Sequence, residues 1–168
     1  MAEDAVAARG ILQEAKDEIK KRVEISIAAH RKIFEQKTEP ERIAAADNSQ
    51  RQGAELAHKR HHRVACPACK SVATVQGEPV GRERVTVEDD GIRVEQSIAP
   101  RTFQCSACGL NLKSYVELDA AGVGAAYTRT TQYSPEEYYG LVNPDDIDPS
   151  DYVDDVLKIL NAQEYDNE

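Results

Sequence analysis

All four cysteines of this 168-residue chain fall into two pairs of the same spacing, Cys66-Pro67-Ala68-Cys69 and Cys105-Ser106-Ala107-Cys108, with 35 residues between them. A two-residue gap lets both thiolates of a pair face one ion, while backbone N–H groups of the tight turn hydrogen-bond to the sulfurs. Two such turns brought together make a closed tetrahedral four-sulfur site, the arrangement Zn2+ takes when its role is structural. Cys66, Cys69, Cys105 and Cys108 are therefore expected to ligate one structural Zn2+. Competing readings are weaker. Disulfides call for an oxidising compartment, and nothing in the sequence points to secretion. A redox pair would open a helix in a βαβ unit, whereas these pairs sit among strand patterns. Iron fits the same cage chemically. A catalytic zinc needs an open position that four thiolates do not leave.

The 35 intervening residues read as a hairpin, which must return its ends to nearly the same place. Arg84-Val85-Thr86-Val87-Glu88-Asp89 and Ile92-Arg93-Val94-Glu95-Gln96-Ser97-Ile98 flank Asp90-Gly91, a signal for a two-residue turn. Pairing Val87 with Val94 and Glu88 with Arg93 puts Val85, Val87, Ile92, Val94 and Ile98 on one face. A three-residue loop would pair Val87 with Arg93 and waste both faces. Val72–Val75 and Lys113–Leu118 are the expected neighbouring strands.

Residues 64–118 resemble a zinc ribbon. Phe103-Gln104-Cys105-Ser106-Ala107-Cys108-Gly109-Leu110 looks like the typical second knuckle of that family, with an aromatic residue ahead of it and Gly after. The first knuckle departs, because Lys70 stands where Gly is common, and the insert is longer than in compact ribbons. The order of helical region, ribbon and acidic end looks like that of uncharacterised bacterial ribbon proteins, to which the resemblance assigns no activity. Ribbons serve as nucleic-acid, protein-docking or purely structural modules, so the family alone decides little about function.

Ahead of the ribbon the pattern is helical from Ala2 to about Gln36, with Leu12, Ala15, Ile19, Val23, Ile27, His30 and Phe34 at three- and four-residue steps. Thr38-Glu39-Pro40-Glu41 breaks it with a capping box, and a second helix is expected from Pro40 to His62. Its apolar content is poor and Gly53 weakens it. An antiparallel hairpin of these helices has a joint stripe that is mostly Ala. The pair must therefore lean on the rest of the chain or on a partner. Beyond Leu118, residues 120–124 read as a turn and Thr128–Gln132 as an extended link. Ser134-Pro135-Glu136-Glu137 opens a short helix ended by Gly140. Asp148-Pro149 opens a last helix to about Asn161, with Val153, Val156, Leu157 and Leu160 on one side. The expected architecture is α+β: a helical hairpin (1–63), a zinc ribbon with an extended β-hairpin (64–118), and a Tyr-bearing acidic segment with short helices (119–168).

Charge narrows the function. The net is −9, but residues 1–63 carry +2, residues 64–144 carry −3 and residues 145–168 carry −8. An acidic tail chiefly keeps a chain soluble. No apolar run approaches the roughly 20 residues that span a bilayer, so a cytoplasmic protein with no membrane role is expected. No free nucleophile stands at useful spacing from a base, and no Gly-rich phosphate loop or small-molecule site is evident. The reading is a non-enzymatic assembly or adaptor module, engaging a protein partner or a second copy through the N-terminal helices. The alternative is a nucleic-acid-binding ribbon, an accessory subunit of a bacterial complex acting on DNA or RNA or in defence. Its contacts would be Lys59, Arg60 and Arg63 within His58-Lys59-Arg60-His61-His62-Arg63. The tyrosines at 127, 133, 138, 139 and 152 are expected to pack the C-terminal segment in a chain with no Trp and two Phe.

Overall fold

A computed structural model describes residues 2–57, 61–141 and 149–165. In chain order the elements are α1 (Ala2–Glu35), α2 (Glu39–Ala57), β1 (His62–Ala65), β2 (Val72–Glu88), β3 (Gly91–Gln104), β4 (Asn111–Leu112), α3 (Tyr115–Ala120), β5 (Tyr127–Tyr133), α4 (Pro135–Leu141) and α5 (Pro149–Tyr165). The strands follow the order β1-β2-β3-β4, and β5 pairs with β3. A mixed helix and antiparallel-sheet architecture is thus present, with a helix pair ahead of it and short helices after it. The chain divides into two compact units: Met1–Glu78 with Ala99–Ala126, and Pro79–Ile98 with Tyr127–Glu168.

In the first unit β1 pairs antiparallel with β2, from His62 opposite Val75 to Ala65 opposite Val72, and Phe103 of β3 lies opposite Leu112 of β4. Phe103, Leu110, Leu118 and Val75 are buried completely or nearly so, with Ala73, Leu112 and Val23 beside them in burial. The two N-terminal helices lean on this body, as their thin stripe requires: α1 packs against α3 and α2 against β1. Gly53 has a structural reason rather than a merely weakening effect. A Cβ there would come to 3.0 Å from Val72 Cγ1, and one turn away the Ser49 hydroxyl donates to the Val72 carbonyl. The missing side chain is what lets α2 approach the start of β2. At the N-terminus of α2, Glu41 accepts from the Thr38 N–H at 2.7 Å and from its hydroxyl at 2.8 Å. These bonds, the backbone N–H foremost, hold the Glu41 carboxyl below its ordinary range.

Several expectations need correction here. α2 is described as far as Ala57, and the helix does not run to His62, which belongs to strand β1. Residues 113–118 do not form a strand. Pairing with β3 stops at Leu112, and Ser114 caps α3 in a complete box with Glu117. Ser114-x-x-Glu117 is an ordinary helix-start signal that the alternation of Tyr115, Val116, Glu117 and Leu118 conceals.

In the second unit the hairpin turn falls on Asp89-Asp90, one residue earlier than expected, and Gly91 opens β3 with φ 151°. The apolar face of β3 is as the sequence implies: Ile92, Val94 and Ile98 are buried. Gln96 is buried between them, its side-chain amide donating to the Val80 carbonyl at 3.1 Å. The facing edge of β2 is less covered, with Val85 43% exposed. Arg93 pairs with Glu88 and Glu95, each at 3.2 Å. Residues 127–133 are not a link but strand β5, running from Tyr133 opposite Ile92 to Tyr127 opposite Ile98.

Both legs of the expected Ser134/Glu137 box are made at the start of α4, which continues through Gly140 to Leu141. On α5 the covered side is set by Ile159, while Val153 and Leu157 are each 51% exposed. Of the expected apolar face, Val156 is half-buried, Val153 and Leu157 are exposed, and the side chain of Leu160 lies outside the described ones. Asp148 lies outside the described residues. Rings of Tyr133, Tyr138, Tyr139 and Tyr152 form a chain with successive centroids 6.3, 5.2 and 5.2 Å apart, the last two edge-on. The Tyr139 hydroxyl donates to Asp155 at 2.6 Å. Burial first, and then this bond to a carboxylate, raise the Tyr139 pKa. Since the folded chain holds that proton more tightly than the unfolded one, this stabilisation is complete below the ordinary tyrosine range and fades as pH climbs above about 10. Thermal melts followed by tyrosine fluorescence should show that decline, and Tyr139→Phe should flatten it.

Candidate metal centre

The two knuckles are built alike. In the first, the Lys70 N–H donates to the Cys66 carbonyl at 3.0 Å and the Cys66 N–H to the Ser71 carbonyl at 2.9 Å. In the second, the Gly109 N–H donates to the Cys105 carbonyl at 2.9 Å and the Cys105 N–H to the Leu110 carbonyl at 2.9 Å. The fourth residue after each leading cysteine is left-handed in both: φ is 65° at Lys70 and 81° at Gly109. The departure from Gly noted in the sequence is thus accommodated by strain at Lys70. For a non-Gly residue that conformation costs on the order of 1 kcal/mol. Lys70→Gly is expected to recover about 1 kcal/mol, less the greater entropy of an unfolded glycine. A thermal melt of the zinc-loaded variant against the zinc-loaded parent chain checks it.

Four sulfurs meet between these turns. Cys66 Sγ lies 3.6 Å from Cys108 Sγ and Cys69 Sγ lies 3.6 Å from Cys105 Sγ, and all four fall within 4.8 Å of one another. Each short contact joins one knuckle to the other. The distances are far from the roughly 2.05 Å of a disulfide, and all four cysteines are free. A tetrahedral ion with metal–sulfur bonds near 2.3 Å sets its ligands about 3.8 Å apart, so the residues present fit such an ion. Cys66, Cys105 and Cys108 are buried and Cys69 is half-buried. Without a cation, four thiols this close cannot all ionise. Hydrogen bonds from Cys108 and then Cys66 lower the pKa of Cys105, and sharing with Cys105 pushes Cys66 and Cys108 up. A divalent cation removes the conflict by displacing the protons.

Sequence reasoning missed the cations that hold the knuckles from outside. Arg31, near the end of α1, donates through Nε to the Ala68 carbonyl at 3.3 Å and through Nη2 to the Pro67 carbonyl at 3.2 Å. Lys37, just past α1, donates through Nζ to the Ala107 carbonyl at 3.3 Å. One helix end therefore grips both turns. Four thiolates around a divalent ion leave negative charge over, and these cations lie where it would fall. No pattern in α1 distinguishes Arg31 or Lys37 from solvated charge, since their partners are backbone atoms more than 30 residues away. His30, beside them, bonds through Nδ1 to the Ser26 carbonyl of its own helix at 2.8 Å.

Among the described residues, the group able to hold an ion consists of the four cysteines; His61 and His62 do not join it. Lys59 and Arg60 lie outside the described residues. Arg63 is exposed on β1 and borders an open cleft of about 590 Å3 with His61, His62, Lys70 and Val72. No helix among the described residues is long and apolar enough to cross a membrane. What the geometry defines is a class: an α+β chain whose two knuckles bring four cysteines into one metal-competent cluster. No known protein family, curated protein or solved structure matches this chain.

Proposed function

We propose that this chain is a non-enzymatic zinc-ribbon protein whose Zn2+ is structural and whose role is assembly: it docks other polypeptide surface rather than transforming a substrate. The observation that carries the reading is the sulfur cluster. Four thiolates from two knuckles complete a tetrahedral shell and leave no position for water or substrate. Zn2+ is favoured among divalent ions by the all-thiolate set and its tetrahedral spacing. The ion would fasten the start of β2 to the end of β3, so its binding free energy is folding free energy for the first unit. The assembly role draws on what the fold leaves uncovered: Val6, Ile11, Leu12 and Ile25 of α1 are each more than 60% exposed.

A second reading is nucleic-acid binding at Lys59, Arg60 and Arg63, favoured by the exposure of Arg63 in a cleft shared with Lys70 and two histidines. One experiment separates the two. The full chain is used as bait in its native cell extract, with and without nuclease, alongside metal analysis of the purified protein. The assembly reading expects bound zinc and capture that survives nuclease. Capture lost on nuclease treatment, together with loss of binding in the triple neutralisation of Lys59, Arg60 and Arg63, would establish the second reading instead.

A further inference from the structure

One face of α1 carries a pattern that the metal site does not use. The stripe facing the body of the first unit includes Ile19, Val23, Ile27 and Phe34, all at least half-buried. A second stripe lies roughly a third of the way round the helix: Ile11, Ala15, Glu18, Arg22, Ile25 and Ala29. Its steps are 4, 3, 4, 3 and 4 residues, the spacing of a seam between paired helices. All six residues are exposed, Ile11 by 68% and Ile25 by 69%. Single exposed isoleucines are ordinary on a protein surface. Two of them on one seam, two heptads apart, make a pattern.

We infer that the partner of this seam is a second copy of the same chain, with the two α1 helices antiparallel about a two-fold axis at the level of residue 20. This names the partner within the assembly role proposed above, and rests on that role. In this register each residue i faces 40 − i of the other copy. Ile11 meets Ala29, Ala15 meets Ile25, and Glu18 meets Arg22, each pair occurring twice. Every apolar layer sets one large side chain against one small, and the central layers set acid against base. A two-fold interface demands this self-complementarity, since each contact recurs with the roles exchanged.

The charge of the whole helix has the same symmetry. Residues 2–18 hold five acidic and two basic side chains, a net of −3, and residues 19–35 hold five basic and two acidic, a net of +3. Antiparallel pairing lays each acidic half along a basic half. Parallel pairing would set Glu18 on Glu18 and Arg22 on Arg22, with like charge along the full length.

The test uses the full-length, zinc-loaded chain in sedimentation velocity at tens of micromolar protein and low salt. The expected species has twice the 18.6 kDa of one chain. Glu18→Arg alone and Arg22→Glu alone should each weaken association at least tenfold, and combining them should restore it. Neither residue is buried, and retained zinc confirms that each variant is folded. Orientation is read by crosslinking: Ala15→Cys with Ile25→Cys should give a disulfide-linked dimer, while Ala15→Cys alone should not. Residues 15 and 25 of one helix are about 15 Å apart and cannot bridge each other. A zinc-containing monomer would overturn the inference, as would crosslinking by Ala15→Cys alone. If such a monomer still captures another protein after nuclease treatment, the assembly role stands and self-pairing fails.

Discussion

Cys105→Ser is expected to unfold the first unit at ordinary temperature, and strong chelation of the parent chain should do the same. A structural Zn2+ contributes on the order of 10 kcal/mol or more to the folding of small domains, while whole domains are stable by only about 5–15 kcal/mol. The core here cannot make up the loss. Its fully buried large side chains near the site are few, with Phe103, Leu110 and Leu118 the principal ones. Each turn closes its own backbone bonds, the contacts between turns are those of sulfur with sulfur, and the grip of Arg31 and Lys37 on the turn carbonyls amounts to three hydrogen bonds from long side chains, far weaker than the ion. Without a cation, the Cys105 anion can be shared by only two thiols before further ionisation becomes repulsive. Circular dichroism melts before and after chelation check the stability claim, and Co2+ substitution reports the ligand set through its thiolate charge-transfer bands. The pH dependence has a fixed sign. Because Cys66 and Cys108 hold their protons tightly in the metal-free cluster, binding releases protons, and affinity must weaken as pH falls. Unchanged melting after complete metal removal would contradict this account.

The metal cluster was legible in sequence because its constraints are local and repeated. Two C-x2-C turns specify their own backbone bonds, and a hairpin between them dictates that they meet. The left-handed demand at residue 70 was legible for the same reason, since the equivalent position in the second turn is Gly109. The strand expected at 113–118 was judged from alternation alone. Lys113–Leu118 has strand-like alternation, but Ser114 and Glu117 satisfy each other across a helix start, and that local bond outweighs the pattern. Tyr127–Tyr133 alternates half-buried and exposed residues, yet the half-buried set, Tyr127, Arg129, Thr131 and Tyr133, is too polar to announce a strand before β3 pairs with it. The contacts of Arg31 and Lys37 were illegible altogether, because a side chain that seeks a distant carbonyl leaves no mark in its own neighbourhood.

Gly91→Ala should destabilise the second unit by on the order of 2–5 kcal/mol while leaving metal binding unchanged. Sequence assigns Gly91 to the second position of a two-residue turn, where its freedom would serve the turn. The structure gives it a different task. The turn is Asp89-Asp90, and Gly91 is buried at the first position of β3. A Cβ built there would lie 2.6 Å from the Tyr133 carbonyl oxygen, a backbone atom that cannot swing aside. The φ of 151° adds strain that a side chain makes worse. Conformations of this kind cost about 1–3 kcal/mol, and overpacking typically adds a similar amount. The damage should fall on the end of β5, since Tyr133 pairs with the neighbouring Ile92 and its ring opens the tyrosine chain that reaches Tyr152. Tyrosine fluorescence is suited to the measurement, because the chain lacks Trp. An alanine variant that melts like the parent would mean that β5 does not pair beside Gly91. A variant that loses zinc as well would mean that the first unit depends on this pairing, contrary to the expectation that the knuckles and their ion hold that unit by themselves.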